Sequence, residues 1–325
     1  MGAFLDGHPE LWQHFGDPGV AACREDTDRH IDHLASALLA DDPAIFVGYA
    51  CWLAEVLTSR DVPITHLAES FALLDGFCSV HLPAVHARRV TAMVDAARSA
   101  LARTGPMAPP AQARMAALAT AAGYRERVLA GDEGGAREVI TVAMRGGATL
   151  AEVAGGLIQP AMTEVGRLWQ ANRVSVAQEH RATAINQTVM ADAYLRADFA
   201  GPVGRKALFA SVAGNHHNIG LRMLSDAFET VGWDVGFLGA DLPLADLLRQ
   251  ADADRPELVC LSLALPGHLL MAREAADVLR AELGSRCPTI WVGGPGTFTG
   301  DSVWRAAHAD GWAADAVHAL AQAAG

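Results

Sequence analysis

From Lys206 onward, four short apolar runs, 206–213, 233–238, 257–264 and 288–292, alternate with stretches of helical period near 219–231, 243–253, 267–283 and 301–308. No other feature of the chain restricts its fold as much. Strands separated by whole helices do not close as hairpins; they align in parallel, and the crossover helices cover both faces of the sheet. The expectation for 204–325 is a doubly wound parallel sheet, in which ligands sit beyond the carboxyl ends of the strands.

Everything before this region reads as helix. The stretch "RTGPMAPPAQ" at 103–112 carries three prolines and a glycine. Proline removes a backbone donor and disfavours helix, so this stretch separates an all-helical domain, 1–104, from a second helical region, 113–200. In the first domain Ile31, Leu34, Ala35, Leu38 and Leu39 recur at three- and four-residue steps, the stripe of an amphipathic helix. Helices are expected over 17–40, 43–59 and 63–102, the last broken near Pro83, with a short one around Leu11–Phe15. In the second region Leu150, Val153, Leu157, Ile158, Val165 and Leu168 form a stripe, and glycine-rich breaks at 131–135 and 146–147 divide it into a four-helix bundle. The expected class is α plus α/β: an all-helical domain, a four-helix bundle, then the parallel-sheet domain.

Composition narrows the function. A formal charge of −12, with no cluster of Lys or Arg, argues against direct contact with nucleic acid or anionic lipid. No run approaches the apolar length of a membrane span, and the amino-terminal stretch lacks a basic start followed by an apolar segment, so a cytoplasmic protein is expected. Cys23, Cys51, Cys78, Cys260 and Cys287 are scattered without CxxC spacing, which points to reduced, mostly buried thiols rather than disulfides or a zinc knuckle. Lys206 is the sole lysine and is expected at a strand entrance, which leaves Schiff-base chemistry without a candidate.

Chemistry concentrates in "VAGNHHNIGL", 212–221, where two histidines stand between the end of the first strand and the next helix. Asn215-x-His217-x-x-Gly220 is followed after 41 residues by Ser262-x-Ala264, and after a further 28 by Gly293-Gly294. On those strand ends the spacing resembles the B12-binding domain signature, Asp-x-His-x-x-Gly, then Ser-x-Leu, then Gly-Gly, and implies its flavodoxin-like fold. The resemblance makes His217 the lower axial ligand of cobalt, with Gly220, Ser262, Gly293 and Gly294 along the slot for the nucleotide tail and Asn215 beside the ligand. A neutral imidazole is a good ligand for cobalt, and glycines let backbone approach a bulky group. Asn215 departs from the pattern: it replaces the acid that accepts a proton from the ligand's second nitrogen, which makes His217 a less electron-rich donor. Ala264 in place of Leu is a small packing change, and His216 is expected to be structural or edge-lining.

The bundle contains "LWQANRVSVAQEHRAT", 168–183. One helix ends near Ala171 and a capping box, Ser175 with Gln178, starts the next, so Trp169 and Glu179–His180 meet at one bundle end. On local sequence, Trp169 in a core and Glu179 complementing a helix N-terminus explain these residues equally well. Trp followed after nine residues by Glu-His resembles the CarH-type B12 photoreceptors, a resemblance that covers 113–325. It implies adenosylcobalamin, with Trp169 over the adenosyl group, Glu179 on the ribose and His180 beside it. In that family a His directly after the Trp captures cobalt once light has expelled the adenosyl group; here the position is Gln170, which leaves His180 or an N-terminal-domain histidine for that role. The family also begins with a DNA-binding helix-turn-helix, whereas 1–102 is acidic and lacks a recognition helix rich in Arg or Lys.

An all-helical domain ahead of such a unit resembles the photocobilins, which pair cobalamin with a bilin. This implies biliverdin in a slot lined by Tyr49, Trp52, Phe77, His81 and His86, with Arg88 or Arg89 on its propionates. The expected function is a non-enzymatic, light-sensing signalling protein with light-dependent self-assembly and a downstream protein partner. The alternative is a corrinoid methyl carrier, also a bundle followed by a B12 domain, which gives no use to Trp169, Glu179 or 1–102. A cobalamin-dependent mutase needs a substrate barrel, which these residues do not encode.

Overall fold

The computed structural model describes residues 7–103, 121–297 and 301–324 together with Phe4, with 9–15 and 301 described by backbone alone. The proline-rich linker from 104 onward and the expected start of the bundle at 113 lie outside the described residues. In chain order the helical part comprises α1 (Pro9–Ala40), α2 (Pro43–Thr58), α3 (Ile64–His81), α4 (Ala84–Ala102), α5 (Ala121–Ala130), α6 (Glu133–Arg145), α7 (Leu150–Val153), a π-helical turn (Ala154–Ile158), α8 (Gln159–Gln170) and α9 (Val176–Arg196). There follow β1 (Lys206–Ser211), α10 (Ile219–Thr230), β2 (Asp234–Gly239), α11 (Leu244–Asp254), β3 (Leu258–Ser262), α12 (Leu269–Leu283), β4 (Thr289–Gly293), α13 (Asp301–Ala306), β5 (Gly311–Ala313) and α14 (Ala316–Ala323). The chain forms two compact units, Met1–Ala108 with Thr299–Ala306, and Pro109–Phe298 with Ala307–Gly325.

In the first unit the helix boundaries follow local chemistry. Asp41 ends α1 in the left-handed region (φ 51°) with its amide on the Ala37 carbonyl, and the Asp42 side chain accepts from Ala44 N at 2.9 Å to open α2. The break between α3 and α4 falls at Leu82–Pro83, as expected. α13 groups with these helices, and Ser302 Oγ donates to Asp42 Oδ2 at 2.7 Å.

The apolar stripe expected on α1 is out of phase with the buried face. Ile31 is 47% exposed, whereas His30, His33, Leu34 and Ala37 are buried. The His33 ring stacks on Tyr49, centroids 3.9 Å apart at 14°, and His30 Nδ1 and the Tyr49 hydroxyl share a hydrogen bond of 2.7 Å. Stacking and hydrogen bonding supply what an imidazole loses on leaving water, and hydropathy alone does not register that compensation.

In the second unit α5 to α9 make the bundle, and of the expected stripe Leu150, Val153, Leu157, Ile158 and Val165 lie in its core, whereas Leu168 is only half-buried outside it. Thr149 with Glu152 and Ser175 with Gln178 both form complete capping boxes, the second as expected from sequence. Ile219 and Met223 of α10 pack against this core, and Ala151, Ala227 and Ala316 form a small seam where the bundle meets the sheet domain.

The sheet has the order β2-β1-β3-β4-β5 and is parallel throughout. β5 has only three residues, too few to display a period, and was not among the strands expected. Lys206 opens β1 and pairs with Asp234 at 3.1 Å. All five cysteines are free, but Cys260 alone is buried; the other four are half-exposed, which corrects the expectation of mostly buried thiols. Among the described residues no helix is long and apolar enough to cross a membrane.

Candidate functional site

The order β2-β1-β3 makes the carboxyl ends of β1 and β3 the point where the strand order reverses, the place where ligands bind in open parallel sheets. The β1 loop is clamped from several sides. Asn215 is fully buried; its Nδ2 donates to the Ser262 carbonyl at 2.8 Å and its Oδ1 accepts from His217 N at 3.0 Å. Ser211 Oγ donates to the His217 carbonyl at 3.1 Å, so the ligand candidate is held by its backbone on both sides. Its imidazole is exposed and makes no hydrogen bond to protein among the described residues. His216 is exposed beside Asp241, with Nδ1 3.9 Å from a carboxylate oxygen.

Space around this loop is distributed unevenly. At Gly220, in the first turn of α10, an added Cβ meets no protein atom within 4 Å. At Gly294, which adopts φ +99°, a Cβ lies 2.6 Å from the Leu263 carbonyl oxygen, and at Gly296 a Cβ lies 2.6 Å from that of Leu265. Glycine at 294 and 296 therefore lets the β4 loop lie flat against the β3 loop, whereas glycine at 220 leaves free surface beside the histidines. Gly293 continues the β3–β4 ladder, its carbonyl accepting from Leu263 N at 2.9 Å. Ser262 is half-buried at the end of β3, its carbonyl taken by Asn215.

Trp169 stands in the last turn of α8 and Glu179 in the first turn of α9, so the turn 171–175 places both at one bundle end. The Glu179 carboxylate accepts from Thr183 Oγ1 at 2.9 Å and lies 2.6 Å from His180 Nδ1. The His180 ring is otherwise largely exposed. Where the bundle meets α10, Arg222 spans Tyr194 and Phe237 and pairs with Asp226 at 2.6 Å. Burial pushes the Asp226 carboxyl up to about 6 despite that guanidinium.

In the first unit the structure does not bring the five residues expected around a bilin together. Tyr49 and Trp52 lie on α2 with offset-stacked rings, beside the buried His30 and His33. Burial pushes both of these imidazoles down to about 4. Phe71 faces this cluster, its ring 5.0 Å from that of His30. Phe77 comes six residues later, about 240° further round α3, and is 62% exposed, with the exposed His81 ring 4.3 Å from it. His86 is exposed on α4. Sequence reading passed over two features: His30-x-x-His33, whose three-residue spacing sets both rings on one helix face, and Asp241, which follows Gly239-Ala240 at the end of β2.

Comparison with known proteins bears on the bundle and on the sheet domain. Residues 205–321 match the family model described as B12 binding domain, and residues 120–192 match a second model with the same description. Among curated proteins, the chain is 34% identical over 142 residues to the HTH-type transcriptional repressor CarA of Myxococcus xanthus, covering 43% of this chain and 46% of CarA. It is 30% identical over 140 residues to the HTH-type transcriptional repressor CarH of the same organism, covering 42% and 45%. The chain thus spans about half the length of the curated relatives it matches. Among solved structures, the monomethylamine corrinoid protein of Methanosarcina barkeri superposes with a TM-score of 0.56 at 18% identity, covering 62% of this chain and 95% of that one, a likeness of fold. Together the two domain matches support a cobalamin cofactor.

Proposed function

We propose that this chain is a light-sensing signalling protein that binds adenosylcobalamin and a bilin, biliverdin in the first instance. The observation that carries the reading is His217: its backbone is held on both sides at the sheet's switch point while its imidazole is left exposed and without a protein partner. Such a ring suits a metal ligand, because the loop need not rearrange to present it. His217 would hold cobalt, and the open surface at Gly220 suits the approach of a large group.

When bound, adenosylcobalamin supplies a visible absorber and a light-labile cobalt–carbon bond. The protein's own part lies in the bundle, where Trp169 offers an aromatic face and Glu179 a carboxylate to the adenosyl group. Glu179 is oriented by Thr183 on one oxygen and by His180 on the other, and a ribose hydroxyl would add to these contacts or displace that of His180. Once that group is gone, Trp169 and Glu179 would lose those contacts, and bundle and sheet domain would be joined by the packing of Ile219 and Met223 on the bundle core and by the small seam of Ala151, Ala227 and Ala316. The signal then leaves as a change of bundle position and of self-association toward a protein partner. The net charge of −12 supports an output that does not read DNA directly. For the bilin, the support is the resemblance of the helical domain 1–104 to that of the photocobilins, since His30, His33 and Tyr49 are buried and partnered with one another.

The test is to load the protein with adenosylcobalamin and with methylcobalamin in the dark. His217→Ala is expected to weaken binding or to bind without a protein ligand, and His216→Ala to bind as wild type does. Trp169→Ala, which removes the aromatic face, and Glu179→Ala, which removes a hydrogen bond of about 1 kcal/mol, should both weaken the preference for the adenosyl form. Equal spectra for wild type and His217→Ala refute the ligand assignment. Equal affinity of the wild type for both cofactors favours a methyl carrier. A red absorption band after co-expression with a haem oxygenase supports the bilin, and its absence removes the bilin from the reading.

A further inference from the structure

In the structure the side chain of Asn215 makes no hydrogen bond to the ring of His217. Both side-chain groups of Asn215 are spent on backbone, Nδ2 on the Ser262 carbonyl and Oδ1 on the His217 amide. A carboxylate there would lose the donor and set its charge against the Ser262 carbonyl, so the amide is matched to its surroundings.

The carboxylate that reaches this loop comes from elsewhere. Asp241, just past β2, accepts from Gly214 N through Oδ1 at 2.7 Å, and its own amide donates to the Asn215 carbonyl at 2.9 Å. The two bonds clasp the loop directly before the histidines. Asp241 holds φ 49° to do so, a left-handed conformation that costs a non-glycine residue energy, and Gly214 opposite it adopts φ +80°. The second carboxylate oxygen lies 3.9 Å from His216 Nδ1, the one ring nitrogen near it in the pair of histidines.

We propose that Asp241 is the positioning residue of the cobalt-ligand loop: it fixes Gly214 and Asn215 so that His217 is presented, while Asn215 ties the same loop to β3. This rests on the cobalamin reading of His217. The division of labour separates two tasks that a single acid at position 215 would combine, and it draws its carboxylate from the strand on the other side of β1.

The experiment uses the full chain with its histidines labelled with nitrogen-15, loaded with cobalamin and reduced to the cobalt(II) form. Electron paramagnetic resonance then distinguishes a protein imidazole, whose nitrogen-15 splits each cobalt line in two, from the cofactor's own base, whose nitrogen-14 splits it in three. Wild type is expected to give the two-line pattern. Asp241→Ala should lose at least tenfold in affinity and shift toward three lines, because the loop is no longer held. Asp241→Asn retains an acceptor for Gly214 N and should restore the two-line pattern and most of the affinity. Asn215→Asp should behave as Asp241→Ala does. Circular dichroism on each variant checks that it is folded, which the half-exposed position of Asp241 favours. Asp241→Ala with wild-type affinity and two lines overturns this inference alone. Wild type with three lines overturns the cobalamin reading of His217 and the inference with it.

Discussion

The Tyr124 hydroxyl donates to Asn186 Oδ1 at 2.6 Å, both residues fully buried in the centre of the bundle. Asn186 Nδ2 donates in turn to the Ala182 carbonyl at 2.8 Å and to Met162 Sδ at 3.1 Å. Tyr124→Phe removes the donor and leaves a buried carbonyl oxygen without one. A loss of about 1–3 kcal/mol is expected, measured as a lower urea midpoint with unchanged slope. A midpoint equal to that of wild type would show that the bond contributes nothing net.

Two glycines at the candidate site should respond in opposite ways. Gly294→Ala forces a Cβ to within 2.6 Å of the Leu263 carbonyl at φ +99° and should destabilise the fold, by an amount on the order of 1–3 kcal/mol. Gly220→Ala meets no protein atom within 4 Å and should leave the melting temperature near that of wild type while weakening cobalamin binding. Calorimetry gives the first quantity and titration the second. Gly220→Ala that binds cobalamin normally would show that the cofactor keeps clear of α10.

Acid should weaken the fold through α1. His30 and His33 have folded values of about 4, held below the ordinary 6.5 chiefly by burial. Above 6.5 both rings are neutral folded and unfolded, and stability is complete. As pH falls from there toward 4, the unfolded chain binds protons that the folded chain refuses, so stability drops, by at most about 1.4 kcal/mol per pH unit for each ring. Asp26 opposes this, because burial raises its carboxyl and the folded state holds that proton more firmly. Denaturation of the full chain across this range should show the fall, and His33→Gln should make it shallower. A flat profile in wild type would mean that these rings are not buried in solution.

Light should change assembly. Size-exclusion chromatography with light scattering, dark against illuminated and with photolysis followed by absorbance, is expected to show a change in mass or radius. Identical values in both states would remove assembly as the output and leave a local change of the bundle.

Much of the architecture is legible residue by residue. Apolar period places β1 to β4 and their crossover helices, because burial on both faces of a sheet demands runs such as Ala207–Ala210. Ser175 and Gln178 mark the start of α9, and a capping box forms within four residues, so Trp169 and Glu179 follow to one bundle end. His217 is placed at a strand end for the same local reason. What sequence did not determine are the partners. Strand order alone sets the ends of β2 and β3 on either side of β1, and so brings Asp241 to Gly214 and Ser262 to Asn215. Likewise His30 and His33 look like surface residues until Tyr49 of α2 is packed against them, and Phe77 looks like core until α3 turns it outward. Local patterns record which groups would leave water; only the assembled chain decides which of them find a partner there.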